Sequence, residues 1–254
     1  MLYVPILLEA SIAHVSLVTL EMESLVLVRL SCRINSLCYQ LSAKCNTLLI
    51  VQWPDGTYSL PETVQGCPSG WYSGWRYQDN EDNHNANNWS PSDLTSYIRM
   101  DLGSNYKTYY CTKTSTGNIG SSAWPRGYYC IARYGDSCPY GFSTGHKYWD
   151  DEDSSNANSK QDPLPDGYYD SNTIIQYCCR SDGSTSVGIE LPTSQPFILY
   201  RYGGTCQTVN GMTVRQLHVY FDDEDSNNRN SCSGSYPDDA YCDSNHDMYF
   251  CYYS

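Results

Sequence analysis

The chain has 254 residues, long for one domain and short for two, so it reads as one large or internally repeated domain. Acids outnumber bases 28 to 15, a formal net charge of −13. That balance argues against nucleic acid, whose phosphates need a positive surface, and against electrostatic docking on anionic lipid. Hydrophobic residues at 40% and aromatic residues at 14% suffice for a core and exclude wholesale disorder.

Residues 1–50 form an apolar head with balanced charge: Glu9, Glu21 and Glu23 stand against Arg29, Arg33 and Lys44. The run from Leu2 to Leu8 starts like a signal peptide, but it lacks a basic start and Glu9 interrupts it. Glu9, Glu21, Glu23 and Arg29 break a membrane-spanning window of about 20 residues. Residues 11–30, from Ser11 to Leu30, are compatible with a helix. Cys32, Cys38 and Cys45 are spaced somewhat like those of an apple/PAN domain. The head is read as a poor signal peptide or as the truncated end of an upstream module missing from this chain.

Residues 51–254 carry the entire net charge, with 25 acids and 12 bases, and they repeat. Cys67-Pro68-Ser69-Gly70-Trp71 leads to Gln78-Asp79-Asn80-Glu81-Asp82 and then Asn85, Asn87 and Asn88. Cys138-Pro139-Tyr140-Gly141-Phe142 leads to Trp149-Asp150-Asp151-Glu152-Asp153 and then Asn156 and Asn158. Cys206, with Gly211-Met212, leads to Phe221-Asp222-Asp223-Glu224-Asp225 and then Asn228 and Asn230. The expected architecture is mainly β: a disulfide-rich domain of three related units of about 71 residues (51–121, 122–190 and 191–254), with short strands and long acidic, asparagine-rich loops. Strands are expected at 127–133, 173–180, 197–202, 213–221 and 248–253, which are rich in tyrosine and β-branched residues.

Ten cysteines follow the repeat: Cys67, Cys111, Cys130, Cys138, Cys178, Cys179, Cys206, Cys232, Cys242 and Cys251. An even number without any CxxC pair points to disulfides and an oxidising compartment rather than zinc. The repeat suggests Cys67 with Cys111, Cys138 with Cys178 or Cys179, Cys130 with the other of that pair, Cys206 with Cys251, and Cys232 with Cys242. The expected location is secreted or extracellular. Asn88-Trp89-Ser90 is a glycosylation sequon in keeping with it.

Several landmarks recur together: Trp53-Pro54-x-Gly56-x-Tyr58, Trp124-Pro125-x-Gly127-x-Tyr129-Cys130, Leu164-Pro165-Asp166-Gly167-x-Tyr169, the Cys-Pro-x-Gly turns, the acidic knots and Tyr177-Cys178-Cys179-Arg180. With them residues 51–254 resemble the apextrin C-terminal domain, ApeC. The resemblance implies an extracellular protein of aquatic invertebrates that recognises bacterial cell-wall glycans, peptidoglycan or lipopolysaccharide, in innate immunity. Some relatives are matrix or adhesion proteins, and some carry a pore-forming MACPF module upstream. The expected partner is a bacterial cell-wall polysaccharide or a glycoprotein, with neither nucleic acid nor a membrane.

Two sets of residues are candidates for chemistry. The knots offer oxygen ligands suited to a hard cation such as calcium: Asp79, Glu81 and Asp82; Asp150, Asp151 and Asp153 with Asn156; Asp222, Asp223 and Asp225 with Asn228. The competing reading is a structural turn, because aspartate and asparagine bond nearby backbone. The rings Trp71, Trp75, Tyr77, Trp89 and Trp149 are candidates for stacking on sugars, against a core role. No GxSxG elbow, phosphate loop or matched acid pair is present, so an enzyme is not expected. A structural role in extracellular matrix is the alternative function, and a glycan hydrolase the third.

Overall fold

The computed structural model describes residues 51–80, 84–116, 122–153, 155–223 and 228–254. The expectations placed on residues 1–50, and those on Glu81, Asp82 and Asp225, lie outside the described residues. Among the described residues fourteen strands join in one sheet: β1 (Tyr58–Pro61), β2 (Tyr72–Gln78), β3 (Asn88–Ser90), β4 (Met100–Asp101), β5 (Tyr106–Lys113), β6 (Tyr128–Arg133), β7 (Ser143–Trp149), β8 (Ser159–Gln161), β9 (Gly167–Tyr169), β10 (Thr173–Ser181), β11 (Phe197–Arg201), β12 (Val214–Phe221), β13 (Ser231–Gly234) and β14 (His246–Tyr253). The five expected strands correspond to β6, β10, β11, β12 and β14, with ends that differ by two residues at most. One 3-10 turn, Leu94–Ser96, is the sole helical element among the described residues.

The sheet curls because its middle strands pair in series and its short strands pair at a distance. β1 lies beside β6, and β6 beside β11. β5, β10 and β14 each pair with the neighbouring member of that trio and with β2, β7 and β12 respectively. The short strands reach further along the chain: β8 pairs β2, β13 pairs β7, and β3 pairs β12.

The period-2 pattern separates two cores. Along β11, Phe197 and Leu199 enter one cluster, while Ile198 and Tyr200 enter the other. Along β6, Tyr129 and Ile131 alternate in the same way with Cys130 and Ala132. Strands buried on both faces carry near-continuous apolar runs, which explains Cys130-Ile131-Ala132 and Phe197-Ile198-Leu199-Tyr200. Each fully buried large apolar side chain contributes about 1.5–3 kcal/mol relative to exposure.

The same alternation accounts for the tandem cysteines. Cys178 points into one cluster and bonds Cys138, while Cys179 points into the other and bonds Cys130, its direct cross-strand neighbour. Cys67–Cys111, Cys206–Cys251 and Cys232–Cys242 complete five disulfides among the described residues. These are the pairs the repeat suggests, with the open choice resolved as Cys138 to Cys178.

The recurring landmarks are local fasteners. In each Pro-x-Gly-x-Tyr segment the tyrosine hydroxyl donates to the proline carbonyl four residues back: Tyr58 to Pro54 and Tyr169 to Pro165 at 3.0 Å, and Tyr129 to Pro125. In the Cys-Pro-x-Gly turns, Trp71 N–H donates to Pro68 O at 3.0 Å and Phe142 N–H to Pro139 O at 3.2 Å. Gly70 and Gly141 hold φ of 80° and 90° there, a region that favours glycine.

Candidate functional site

The acidic knots follow β2, β7 and β12, where each strand runs out of partners. Their first acids bond other loops. Asp79 Oδ2 accepts from Ala157 N–H at 2.8 Å, and Asp79 N–H donates to Asn158 Oδ1 at 2.7 Å. Asp150 Oδ2 accepts from Arg229 N–H at 2.8 Å, and Asp150 N–H donates to Asn230 Oδ1 at 2.6 Å. Asp222 Oδ2 accepts from Ala86 N–H at 2.5 Å, and Asp222 N–H donates to Asn87 Oδ1 at 2.8 Å. The three reciprocal pairs form a closed cycle.

The asparagines brace each loop. Asn156 Oδ1 accepts from Asn158 N–H, and Asn156 Nδ2 donates to Glu152 O and Ser171 O. Asn228 does the same with Asn230 N–H and Ser244 O. Asn105, Asn172 and Asn245 each accept from the second knot residue, at Asn80, Asp151 and Asp223, and donate to Tyr77, Tyr148 and Tyr220 hydroxyls. Tyr77 is thereby tied to its own loop. These three asparagines were not singled out in the sequence, although each stands at a similar distance after its knot.

The second knot residues turn inward. Asn80, Asp151 and Asp223 are fully buried. Asp151 Oδ1 and Asp223 Oδ1 both accept from Gln78 Nε2, at 2.8 and 3.3 Å. Asp151 Oδ2 takes the Thr173 hydroxyl at 2.6 Å and Asn158 Nδ2 at 2.7 Å. Burial pushes the Asp151 carboxyl up to about 6, against the opposing pull of the Arg76 guanidinium. Burial, reinforced by the Asp151 charge, raises Asp223 well above the carboxylate range. Asp153 is exposed. The first two residues of each knot, Asp79 and Asn80, Asp150 and Asp151, Asp222 and Asp223, thus turn to different neighbours. The two His/Cys/Asp/Glu groups that do converge among the described residues contain Cys232, Cys242, Cys67 and Cys111, whose sulfurs are committed to disulfides.

The aromatic candidates separate. Trp149 is 0% exposed and packs edge-on to Phe221, with the Arg76 guanidinium 4.7 Å from its ring centre. Its expected role in stacking on a ligand is corrected to a core role, since both faces are covered. Trp75 and Tyr77 share the half-exposed face of β2. Lys107 Nζ lies 3.7 Å from the Trp75 ring centre, and Trp75 Nε1 donates to Gln161 at 2.9 Å. Trp89 is partly buried against Tyr106 at 6.4 Å.

Trp71 stands at the mouth of a groove. Its ring lies 5.1 Å from Trp53 and 5.3 Å from Tyr58. The groove encloses about 310 Å³ and is lined by Trp53, Trp71, Gln52, Gln195, Ser69 and Ser194 among others. Trp53 was noted in the sequence only as a landmark of the repeat. A second groove of about 530 Å³ lies over β9, with Lys160, Asp162 and Tyr168 on its walls. There Asp166 is already engaged by Arg133 Nε at 2.9 Å and by the N–H groups of Gly135 and Asp136.

Comparison with known protein families matches residues 53–253 to ApeC, the C-terminal domain of apextrin. The chain belongs to the ApeC family. No curated protein and no solved structure matches it. Within the ApeC domain the first residues of the knots bond loop to loop. No helix among the described residues is long and apolar enough to cross a membrane.

Proposed function

We propose that this ApeC domain is a secreted, non-catalytic module that recognises bacterial cell-wall glycan, peptidoglycan or lipopolysaccharide, in innate defence. The Trp53–Trp71 groove carries the reading. It pairs two indole rings with the amide side chains of Gln52 and Gln195 and two serine hydroxyls. Indole faces pack against the C–H face of a sugar, while amides and hydroxyls bond its hydroxyl groups. Among the described residues no aspartate, glutamate or histidine lines this groove, whereas glycoside cleavage needs a facing carboxyl pair. Five disulfides support an oxidising, extracellular setting. The domain is read as three related units, 51–121, 122–190 and 191–254, and the closed cycle of knot contacts supports that reading.

Sedimentation with insoluble peptidoglycan tests it. Ser194 is exposed at the groove, so Ser194→Trp fills the groove without disturbing the core. Retention should fall about tenfold, equivalent to about 1.4 kcal/mol, with an unchanged melting temperature. A matrix or adhesion role is the second reading. It is favoured by the scattered exposed rings Tyr72, Tyr140 and Tyr241, and it prevails if no bacterial polymer retains the protein while matrix glycoprotein does.

A further inference from the structure

The buried centre holds polar atoms that the fold leaves unused. Among the described residues Asn80 Oδ1 and Gln78 Oε1 have no hydrogen-bond partner, although Asn80 and Gln78 are 0% and 1% exposed. Such atoms are rare, because each costs about 1–3 kcal/mol when left unpaired. We propose that Asn80, Asp151 and Asp223, together with Gln78, form one site for a single hard cation of the calcium class.

The hydrogen-bond pattern locates the free oxygen of Asn80. Asp151 Oδ2 bonds Asn158 Nδ2, and Asp223 Oδ2 bonds Asn230 Nδ2, at 2.7 and 2.9 Å. Asn80 Nδ2 makes the corresponding contact with Asn87 Oδ1 at 3.1 Å. The remaining atom in each case is Oδ1. For Asp151 and Asp223 that atom meets the Gln78 amide; for Asn80 the corresponding atom is the unpaired one. Two of these oxygens, from distant points of the chain, face the amide of Gln78, and the buried, unpaired Asn80 Oδ1 is the corresponding atom of the third loop by its bonding pattern. Half a turn of that amide exchanges Nε2 for Oε1, and the two ends of an amide are assigned from their neighbours. A cation selects the oxygen.

The donor set is all oxygen, as calcium prefers, and water supplies the rest of its six to eight ligands. Two buried carboxylates also need compensating charge. Arg76, which lies over Trp149 at 4.7 Å, pulls on both through space but, among the described residues, forms a direct ion pair with neither, and its single positive charge does not balance two carboxylates. The cation would answer both needs. This site differs from one ion per knot in a countable way.

Titration calorimetry of the full chain with calcium chloride, without glycan, is the test. The expected result is one ion per chain, with a melting temperature raised by calcium and lowered by chelator. Asp223→Asn should weaken binding at least tenfold yet fold normally, because Asn80 shows that an amide is tolerated at the corresponding place. Asn80→Asp should tighten binding several-fold by adding a carboxylate, an effect a purely structural turn does not produce. Exposed Asp153→Asn should leave binding unchanged. Three ions per chain, no calcium response of heat or melting temperature, or indifference to both Asp223→Asn and Asn80→Asp would overturn the proposal. Glycan retention is measured separately, so neither result decides the other.

Discussion

Lys147, Asp239 and His246 have fully buried side chains, and one carboxylate serves them all. Asp239 Oδ2 accepts from Lys147 Nζ at 2.8 Å and from His246 Nδ1 at 2.6 Å, while Oδ1 takes the N–H groups of Tyr241 and Asp247 at 3.0 Å. Burial alone would raise Asp239, but the His246 hydrogen bond and the Lys147 charge hold it well below the usual carboxylate range. Burial lowers His246, against the opposing pull of Asp239. Asp239→Asn removes the only anion bonded to Lys147 among the described ion pairs and should cost about 3–5 kcal/mol in urea unfolding. Both folded values lie below the unfolded ones. His246 therefore contributes stability that is full above pH 6.5 and is lost as pH falls; Asp239 behaves likewise below 3.8. With Lys147, Asp238 and Asp247 as the other charges nearby, this group works to lower the melting temperature as pH falls below about 6.5, while the raised carboxyls of Asp151 and Asp223 work the other way. The pH profile of His246→Gln compared with that of the unaltered protein should isolate the first effect as a smaller loss on acidification. None of this was legible in the sequence, because Asp239 and His246 carry no spacing signal and lie outside the knots.

At the scale of the element, much was legible. Tyrosine and β-branched runs marked β6, β10, β11, β12 and β14 but not the equally long β2, β5 and β7, and repeated cysteines marked the disulfides. The short strands β3, β8 and β13 were not, since three residues such as Ser159-Lys160-Gln161 have no period to read. Trp149 misled for a related reason: a ring beside an acidic loop looks like a surface ring until the strand register turns it inward. The knots were found, but their partners were not, because the bonds run to loops 78 to 136 residues away. Asp150→Ala strips an acceptor from Arg229 N–H and should cost about 1–3 kcal/mol. Asp150→Asn keeps an acceptor oxygen and should recover most of that loss, as measured by chemical denaturation. Replacing Cys206 and Cys251 together by serine should cost about 2–5 kcal/mol by the same assay.

At the scale of the molecule, the cycle of knot contacts makes every segment depend on the others. β3 is paired by β12, and Ala86 N–H by Asp222. A chain ending at residue 190 loses both, along with the residues that β11, β12 and β14 supply to the cores. Such a fragment should show no cooperative melt by circular dichroism, whereas the whole domain should unfold in one transition by all probes.

The closed cycle also has a consequence in time. The loop at Ala86 and Asn87 meets Asp222 about 136 residues later in the chain. At a synthesis rate of about 5–20 residues per second, that loop waits on the order of ten seconds after leaving the ribosome before its partner exists. Throughout that interval residues 88–90 have no β12 to pair with. The cycle of knot contacts therefore closes only once synthesis has passed the third knot, so its closure is a late event in the making of the chain.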